Sequence, residues 1–478
     1  MYDIAIIGAG IIGASVAYEL SRYRLKILWL EKENDVSLGA TRANSAIVHA
    51  GYDPPAGSRM ARLNVEGTRL MPALCEAVDA HYKNTGSLVL AFDERDRSTL
   101  RSLKEQGDAN GVPGLQVLNR EETLAREPAL NPDIVGSLYA PSAGIILPWE
   151  LTLGLAEVAV REGVDLRLRQ ELQTIRYEAD HWKLETQNET YQARRVINAA
   201  GQGAEKIHRQ ATEPAFHLLP TRGEYYLLDK AVDPQVSHVL FQCPGPLGKG
   251  ILVTPTIHGN TLIGPNAELI EDGEDTSTTY AGLAEVAQKA RRSVPNLRFG
   301  ENIRHFSGVR ANREVDDFYI AMHDKGFLDL AAIKSPGLSA APAIALYARE
   351  LLEADGLEVQ PREGWNGRRK VRRFAERSPE DKAAMVDANP AFGRVICRCQ
   401  TITEGEILEA IRSPIPPVSI DAIKRRTGAG LGRCQGGFCG PRVLEILSRE
   451  LGVDPAEILQ DKDGSYIVLG DNRPEVRI

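Results

Sequence analysis

The stretch DIAIIGAGIIGASVAYELSRYRLKILWLE, residues 3–31, contains the pattern that predicts the fold of the N-terminal part of the chain. Its first five residues form a short apolar run typical of a buried parallel strand. A glycine-rich turn then leads into a segment with helical apolar spacing. A second apolar run, residues 25–30, ends at Glu31. This order of strand, turn, helix and strand predicts the opening βαβ unit of a Rossmann-like domain.

Three glycines in the turn, Gly8, Gly10 and Gly13, have the spacing GxGxxG. The first permits a tight turn, the second lets the backbone approach a pyrophosphate, and the third lets the helix pack on the strand. The helix N-terminus then presents N–H groups and a partial positive charge to the phosphates. Glu31, 18 residues beyond Gly13, is placed to accept hydrogen bonds from a ribose. The motif predicts a dinucleotide site and leaves both FAD and NAD open.

The size and composition of the chain are those of an ordinary globular protein. Its 478 residues exceed the size at which one hydrophobic core stops growing, so we expect two or three domains. Hydrophobic residues make up 43% and charged residues 26%, which excludes a disordered or fibrous protein. The net charge is -8 and the cations are scattered, whereas nucleic-acid binding depends on clustered cations. Nucleic acid is therefore not an expected partner.

The sequence predicts no transmembrane segment and no secretion. A membrane-spanning helix needs roughly 20 apolar residues, and the richest candidate, residues 340–352, is interrupted by Pro, Arg and Glu. The N-terminal residues contain no basic region followed by an apolar run and a cleavage site. We expect a cytoplasmic protein, associated with a membrane only through a partner. In that reducing compartment the four cysteines between 397 and 439 favour metal over disulfides, while Cys75 and Cys243 are expected to be buried fillers.

Strand-rich and helical segments alternate along the rest of the chain. Residues 86–92 and 224–264 have the pattern of strands and turns, which predicts a largely antiparallel sheet. Apolar residues recur three and four apart at residues 148–162, 279–293 and 340–354, which predicts helices there. The sequence thus predicts a strand-rich part of the chain in addition to the βαβ unit.

Several motifs resemble one known family. VINAAG (196–201), GATRANSAIVHAG (39–51) and SPGLSAAPA (335–343) resemble the FAD-dependent oxidoreductases of the D-amino-acid oxidase and glycerol-3-phosphate dehydrogenase superfamily. No second strand-linked GxGxxG is present, so a separate NAD domain is not expected. Three further segments are similar to the branch that contains the anaerobic glycerol-3-phosphate dehydrogenase large subunit and L-2-hydroxyglutarate oxidases, namely residues 142–152, 220–229 and 243–268.

The resemblance implies a fold class and a set of domains. The fold class is α/β plus α+β, with a Rossmann-like FAD-binding domain, an antiparallel-sheet substrate domain and a small C-terminal helical four-cysteine domain. The boundaries that we expect are 1–85, 145–215 and 300–360 for the FAD-binding domain, 86–144 and 216–299 for the substrate domain, 361–390 for a linker, 391–455 for the four-cysteine domain and 456–478 for a C-terminal tail.

The resemblance also implies which residues hold FAD. Gly337, Leu338 and Ser339 precede a helix whose N-terminus would stabilise negative charge on the reduced flavin. Together with the glycine turn and the motifs above, the residues expected to bind FAD are Gly8, Gly10, Ile11, Ile12, Gly13, Glu31, Lys32, Thr41, Asn44, Ser45, Ala200, Gly201, Gly337, Leu338 and Ser339.

Two residues are predicted to carry the chemistry. Oxidation of a carbon that bears a hydroxyl group moves a hydride to the flavin while a base takes the hydroxyl proton. The resemblance implies His49 as that base, and a histidine that only hydrogen-bonds the flavin or carries a covalent flavin link is the alternative. Arg310 matches a Gly-x-Arg element whose guanidinium holds the substrate anion; Ala311 follows where many relatives have proline, so the substrate stays open. His258 and Tyr225 are further candidates for lining the substrate pocket. The alternative for each is a purely structural role.

The four clustered cysteines have the spacing Cys397-x-Cys399, 34 residues, then Cys434-x4-Cys439. Four thiolates from two loops suit a 2Fe-2S cluster or a zinc site. The glycines around them leave backbone N–H groups able to bond cluster sulfurs, and Pro441 begins a helix. The segment resembles the BFD-like 2Fe-2S domain, named after bacterioferritin-associated ferredoxin. This resemblance favours iron-sulfur, while zinc and disulfides stay open.

These patterns predict an FAD-dependent dehydrogenase that oxidises glycerol 3-phosphate or a similar small anionic hydroxy compound. Electrons are expected to leave through the 2Fe-2S domain to a redox partner protein or a quinone-linked subunit, in a hetero- or homo-oligomer. The alternatives are an L-2-hydroxyglutarate or amino-acid type oxidase that reduces oxygen, and a redox-sensing or partner-docking flavoprotein. Lys424, Arg425, Arg426 and Arg433 predict a basic side on the domain, which either receives an acidic redox partner or is a plain solvated face.

Overall fold

A computed structural model describes residues 1–231, 236–244 and 250–470 of the chain. These residues belong to two compact units. The first unit is Met1–Leu30 with Ser37–Arg369, and the second is Glu31–Val36 with Lys370–Ile478. None of the helices in the described part of the chain combines the length and the apolar composition required to span a membrane.

The first unit contains strands and helices throughout its length. Its strands are β1 Tyr2–Ile7, β2 Ile27–Leu30, β3 Ile47–Val48, β4 Tyr82–Asn84, β5 Ser87–Ala91, β6 Gln116–Asn119, β7 Gly136–Ala140, β8 Gly144–Ile146, β9 Asp165–Arg167, β10 Leu172–Glu178, β11 His181–Thr186, β12 Thr190–Asn198, β13 Leu219–Leu228, β14 Val239–Gln242, β15 Val253–Pro255, β16 Thr261–Ile263, β17 Glu268–Leu269, β18 Asn302–Asn312, β19 Tyr319–His323 and β20 Phe327–Ala331. Its helices are α1 Ile11–Leu20, α2 Arg59–Ala77, α3 Glu94–Ala109, α4 Arg120–Arg126, α5 Pro148–Arg161, α6 Ala204–Ala211, α7 Tyr280–Ser293 and α8 Gly337–Ala354.

The first sheet has a parallel centre. Its strands run in the order β10-β11-β12-β1-β2-β9, with β20 and then β19 added beside β12. β1 is parallel to both β2 and β12, and β20 is parallel to β12. Ile4 and Ile6 of β1 are fully buried, and every residue of α1 is buried between the sheet and helices α5 and α8. The Rossmann-like opening predicted from residues 3–31 is confirmed.

The second sheet is largely antiparallel, as predicted. Its strands run in the order β17-β13-β16-β15-β14-β5-β7-β6, and β18 pairs with the other edge of β13. Side chains of β5 alternate between the two faces: Leu88 packs with Val286 of α7, and Val89 packs with Leu103 of α3. The sheet is therefore covered by a helix on each side at this point, which explains why all five residues of β5 are buried.

Three segments differ from the sequence-based division. Residues 302–312, grouped above with the FAD domain, form β18 of the second sheet. Gly337, Leu338 and Ser339 do not precede α8 but form its first turn. Of the residues expected to be a linker, 361–369 belong to the first unit, while 370–390 belong to the second and contain a helix. The finer separation into FAD and substrate domains stays a prediction.

The second unit is a small helical domain with a short hairpin. Its core contains Ile407, Ile423 and Leu447, all fully buried. Two of its helices end at left-handed glycines, Gly428 (φ 87) and Gly452 (φ 66), where a residue without a Cβ is favoured. Its elements are α9 Pro379–Ala388, β21 Val395–Cys397, β22 Ile402–Thr403, α10 Glu404–Ile411, α11 Ile420–Thr427 and α12 Gly440–Leu451.

A buried ion cluster ties the segment Glu31–Val36 to α11 within this unit. Asp35 is 2% exposed, and its carboxylate accepts from Arg426 at two distances of 2.8 Å and from Arg425 at 2.9 Å. Burial opposes ionisation, yet the two guanidinium groups hold the pKa of Asp35 below its ordinary value. Lys424 pairs with Asp421 at 3.4 Å. The predicted basic side is therefore wrong for Arg425 and Arg426, because they neutralise a buried carboxylate.

Candidate functional site

The GxGxxG turn forms a cradle that only glycine permits. Gly8 has φ 99, and a Cβ there would lie 2.5 Å from the Ala199 carbonyl oxygen. A Cβ at Gly13 would lie 2.0 Å from the Gly8 oxygen. A Cβ at Gly10, in contrast, would meet only Thr41 Oγ1, at 3.2 Å. The backbone at Gly10 is thus open to an approaching group, and this fits a pyrophosphate at the N-terminus of α1.

Several predicted FAD-binding residues are brought together at this helix N-terminus. Ile11 N–H donates to Thr41 Oγ1 at 3.0 Å, which joins two motifs that are 30 residues apart. Ala199 N–H donates to the Ile7 carbonyl at 2.9 Å and places Ala200 and Gly201 beside the glycine turn. Gly10 provides no side-chain cap for α1. The helix dipole is thus available to an anionic ligand.

Glu31 and Lys32 directly follow β2, as the sequence predicts, and they belong to the segment Glu31–Val36 of the second unit. Glu31 Oε1 accepts from the Glu33 N–H at 3.0 Å. The carboxylate is thus held in a local turn at the end of the strand, and its predicted contact with a ribose stays a prediction.

The segment that contains Asn44 and Ser45 is held in a defined turn. Asn44 Nδ2 donates to the carbonyls of Ala40 and Thr41, at 3.1 and 2.9 Å, and Asn44 Oδ1 accepts from Ala46 N–H at 2.8 Å. Ala46 has φ 57, a left-handed conformation that this bonding maintains. The turn exposes Ser45 toward the second sheet, where its Oγ lies 3.3 Å from the Tyr225 hydroxyl.

One face of the β13–β18 pair meets this turn. Directly paired residues point their side chains to the same face of a sheet, and Gly223 pairs with Gly308 and Tyr225 with Phe306. A Cβ at Gly308 would lie 1.9 Å from the Ala43 carbonyl oxygen, so the strand approaches the turn without a side chain between them.

Arg310 lies on that same face, two residues beyond Gly308. A Cβ at Gly223 would lie 2.4 Å from Arg310 Nη2, so the absent side chain makes room for the guanidinium. Arg310 Nη2 donates to the Asn266 carbonyl at 3.0 Å. Within the part of the chain that the structure describes, this is the one partner of the half-buried guanidinium, which leaves N–H groups for a ligand.

His49 follows β3 and is anchored through its backbone. Its N–H donates to Ser339 Oγ at 2.7 Å, and its carbonyl accepts from Asn64 Nδ2 and Thr68 Oγ1 at 2.9 and 2.6 Å. Its Nε2 lies 3.2 Å from Ser335 Oγ. These contacts bring helix α2, helix α8 and the residue Ser335 together around His49. The sequence analysis did not identify Asn64, Thr68 or Ser335.

Tyr225 and His258 occupy different surroundings. The ring of Tyr225 is stacked on Phe306, with centres 4.7 Å apart, and only 3% of its surface is exposed. His258 lies in the turn between β15 and β16, and its ring centre is 6.2 Å from that of His81. His81 Nδ1 in turn lies 2.8 Å from a Glu150 carboxylate oxygen. The structure thus associates Tyr225 with the Ser45 turn and His258 with a second histidine.

The sequence also missed a buried polar cluster next to the VINAAG motif. Asp329 Oδ2 lies 2.7 Å from His208 Nδ1 and 2.9 Å from His323 Nε2, and its Oδ1 accepts from Asn198 Nδ2 at 2.7 Å. His208 Nε2 accepts from the Ala215 N–H at 3.0 Å, so Nδ1 carries the proton and donates it to Asp329. Although the three groups could hold a metal by their spacing, these hydrogen bonds make them a structural network linking β12 and β20.

The four cysteines converge in the second unit. The sulfurs of Cys397 and Cys399 are 3.7 Å apart, and all six cysteines of the chain are free thiols, so no disulfide is formed. Hydrogen bonding to the neighbouring Cys439, then burial, raises the pKa of Cys397. Burial, followed by the nearby Cys397 and Cys434, raises the pKa of Cys399 to about 11. Close thiols that oppose one another's ionisation are the arrangement that a cationic metal centre relieves.

Backbone N–H groups surround these sulfurs. Those of Phe438 and Gly436 point at the sulfur of Cys434 and lower its pKa. A Cβ at Gly432 would lie 2.3 Å from Cys399 Sγ, so this position requires glycine for the loops to meet. Four soft donors with N–H groups directed at them fit a 2Fe-2S cluster.

Comparison with known families agrees with both sites. Residues 3–351 match the family described as FAD dependent oxidoreductase, and residues 395–449 match the BFD-like [2Fe-2S] binding domain. The chain belongs to the FAD-dependent oxidoreductase family, and it carries a C-terminal BFD-like 2Fe-2S domain. The two cofactors predicted from the sequence, FAD and a 2Fe-2S cluster, are confirmed, and the zinc and disulfide alternatives are set aside.

Individual relatives narrow the class to homologues of glycerol-3-phosphate dehydrogenases and oxidases. The chain is 48% identical over 480 residues to glycerol 3-phosphate dehydrogenase of Caloramator mitchellensis, and the alignment covers 100% of both chains. It is 32% identical to glycerol 3-phosphate oxidase of Mycoplasma genitalium, over 76% of this chain and 97% of the relative. The FAD-bound, dithionite-reduced L-alpha-glycerophosphate oxidase of Mycoplasma pneumoniae superposes with a TM-score of 0.73 at 31% identity, over 78% of this chain and 99% of that one. The chain is an FAD-dependent oxidoreductase of this group.

Proposed function

We propose that the protein oxidises the C2 hydroxyl of glycerol 3-phosphate to the ketone of dihydroxyacetone phosphate and passes the electrons on through its 2Fe-2S domain. The observation that carries this proposal is the position of Arg310. Its guanidinium lies over Gly223, on the sheet face that meets the turn of Ala43 and Ser45, with N–H groups not used by the described residues. A guanidinium binds phosphate, like carboxylate, through paired hydrogen bonds, and the relatives named after glycerol 3-phosphate favour the phosphate.

His49 is proposed to take the hydroxyl proton. Three backbone hydrogen bonds fix its position, and its Nε2 lies 3.2 Å from the hydroxyl of the exposed Ser335. Bound FAD would supply the hydride acceptor for C2, and a bound cluster would supply one-electron transfer. The balance is one hydride from carbon and one proton to the imidazole. Tyr225, fixed by Phe306 and Ser45, is proposed to orient the substrate beside Arg310.

We propose a dehydrogenase whose electron acceptor is not oxygen. The shares of this chain that align with its relatives support this proposal. The relative named a dehydrogenase matches this chain over its whole length, including the cysteine-bearing unit. The two relatives named oxidases align over 97% and 99% of their own length, but these alignments cover only 76% and 78% of this chain. The part of this chain that does not align with the oxidases is proposed to provide an additional route for electrons.

The test is an anaerobic titration of the FAD- and cluster-loaded protein with glycerol 3-phosphate, followed by loss of the oxidised flavin absorbance. Wild type should bleach with glycerol 3-phosphate and not with glycerol, which lacks the phosphate. Arg310→Gln should raise the concentration needed for half-bleaching about tenfold or more, since a charged hydrogen bond contributes about 1.5–3 kcal/mol. Arg304→Gln, an exposed arginine near the other end of β18, is the matched control and should behave as wild type.

Two results would contradict the proposal. If glycerol 3-phosphate leaves the flavin oxidised while L-2-hydroxyglutarate bleaches it, the substrate is wrong and the hydroxy-acid alternative is favoured. If air alone reoxidises the reduced protein as fast as turnover requires, with stoichiometric peroxide, the protein is an oxidase.

A further inference from the structure

The four cluster cysteines differ in exposure. Cys397 and Cys439 are 1% and 2% exposed and belong to the apolar core of the second unit. Cys399 and Cys434 are only half-buried. The side of the four-cysteine site at Cys399 and Cys434 is therefore the side nearest to solvent. Electron transfer slows with distance, so an acceptor in solution would approach a cluster held here from this side, which we call the exit edge.

Each of the two outer cysteines lies in the same tripeptide. The sequence Arg-Cys-Gln occurs at residues 398–400 and again at 433–435. Both arginines are exposed, and Arg398 has no hydrogen bond or ion pair in the described part of the chain. Two cations thus border the exit edge, in a chain whose net charge is -8.

An exposed aromatic residue completes this edge. Phe438 is 86% exposed, and its backbone N–H is one of the donors directed at the Cys434 sulfur. The side chain therefore projects into solvent from the loop that holds an outer cluster ligand. One exposed phenylalanine and two exposed arginines on the loops of the outer cysteines match the composition of protein interfaces, where aromatic residues and arginine are enriched.

We propose that Arg398, Arg433 and Phe438 form the docking surface for an acidic one-electron carrier protein. This inference rests on the proposed function, because the carrier receives the electrons of that reaction. Since the rest of the protein is net negative, an acidic partner is attracted only locally and is oriented with its own redox centre toward the cluster edge. Each substrate oxidised supplies two electrons, so two carrier molecules are reduced by one electron each, and the hydroxyl and C2 protons are released to water.

The experiment measures steady-state reduction of a rubredoxin, an acidic one-electron protein, by the holoenzyme with glycerol 3-phosphate at low ionic strength. Arg398→Glu with Arg433→Glu should lower kcat/KM for rubredoxin about tenfold or more and flatten its salt dependence. The same double variant should increase the rate with the basic carrier cytochrome c. Phe438→Ala should lower the rubredoxin rate about tenfold without changing its salt dependence. Arg412→Glu, an exposed arginine at the end of α10, is the control and should change neither rate.

Anaerobic bleaching of the flavin by glycerol 3-phosphate is measured on every variant and separates the two proposals. If wild type does not bleach, the proposed function fails. If all variants bleach and retain their iron and cluster spectrum, yet charge reversal leaves the preference between rubredoxin and cytochrome c unchanged, the docking surface is overturned. Binding of the wild type, but not of the double variant, to vesicles of anionic phosphatidylglycerol with no effect on rubredoxin reduction would also overturn it, because the surface would then be a membrane contact.

Discussion

Gly308 lies where the second sheet meets the turn that carries the predicted flavin contacts. Its missing side chain is the reason that β18 reaches the Ala43 carbonyl, because a Cβ would lie 1.9 Å from that oxygen. Gly223, its partner across the strand pair, leaves room for the Arg310 guanidinium in the same way. Two neighbouring glycines thus let one strand pair reach the turn of the predicted flavin contacts and make room for the guanidinium that is proposed to bind the substrate anion.

Gly308→Ala should displace the Ala43–Ser45 turn and weaken FAD binding. Forcing a methyl group into a packed site typically costs about 1–3 kcal/mol, which corresponds to a loss of FAD affinity of about fivefold to a hundredfold. FAD content after dialysis and the thermal midpoint measure the effect. Gly300→Ala, where a Cβ meets no atom within 4 Å, should leave both unchanged. Full FAD retention in Gly308→Ala would contradict the close approach.

Asp35 is the counter-ion of two buried arginines in the second unit. Asp35→Asn keeps the shape but removes the charge partner of Arg426 and one of the two charge partners of Arg425, which also pairs with Asp461 at 2.7 Å. Breaking a buried ion pair costs about 3–5 kcal/mol. Denaturant titration followed by the cluster absorbance reports on this unit alone. Asp387→Asn, an exposed carboxylate on α9, is the matched control and should leave the midpoint unchanged.

The same carboxylate predicts a dependence of stability on pH. Because the folded-state pKa of Asp35 is depressed, its contribution is complete above the ordinary carboxyl pKa of about 3.9 and is lost as pH falls through the lower folded value. The difference in unfolding free energy between wild type and Asp35→Asn should therefore stay constant at neutral pH and shrink below about pH 4. A difference that grows with acidification would contradict this assignment.

The first turn of α8 positions His49. Ser339 is fully buried, and its hydroxyl accepts from the His49 N–H at 2.7 Å and donates toward the Ile47 carbonyl at 3.3 Å. Gly67 of α2 allows the helices to pack closely here, since a Cβ would lie 2.2 Å from the Ser339 carbonyl oxygen. Strand β3 and helices α2 and α8 thus jointly hold the predicted base.

Ser339→Ala should slow flavin reduction by glycerol 3-phosphate about tenfold. The His49 N–H would lose its acceptor, and leaving a buried donor unpaired costs about 1–3 kcal/mol, which shifts the imidazole from its position. Single-turnover bleaching measures the rate. Ser58→Ala removes the N-cap of α2, where Ser58 accepts from Ala61 at 3.0 Å. The Ser58→Ala control should lose about 1 kcal/mol of stability but keep the wild-type bleaching rate. Equal slowing of bleaching in both variants would argue against a specific role for Ser339.

Across the molecule, the residues proposed for substrate oxidation and for electron export belong to different units. The glycine turn, His49 and Arg310 belong to the first unit, and the four clustered cysteines belong to the second. Each unit has its own apolar core. The two half-reactions are therefore expected to be separable by substitution.

Cys434→Ser should abolish stable cluster binding and reduction of protein carriers, since one of four thiolate ligands is lost. Flavin bleaching by glycerol 3-phosphate should persist, because no residue of the first unit is changed. Iron and labile sulfide assays with anaerobic spectra measure the two properties. Cys243→Ser, a half-buried thiol of the first unit, should retain the cluster. Loss of bleaching together with the cluster would contradict this division.

Features that depend on neighbours along the chain could be read from the sequence. The GxGxxG turn, the strands on either side of α1 and the four-cysteine spacing all lie within short segments, where periodicity and side-chain chemistry report directly on structure. Family resemblance added FAD and the 2Fe-2S cluster, both confirmed. The roles assigned to His49 and Arg310 stay predictions, although the structure gives each a defined position.

The three-dimensional fold alone decided which distant residues meet. Arg426 reads as a surface cation in the sequence, yet it pairs with Asp35, 391 residues away, inside the second unit. Likewise, nothing local marks Ser339 as the acceptor for His49, 290 residues apart. Such contacts form only when long loops close and strands pair in one register. That register cannot be predicted from the residues on either side of a given position. Local patterns therefore established the elements and the ligand types, whereas burial, counter-ions and the partners of each reactive group came from packing.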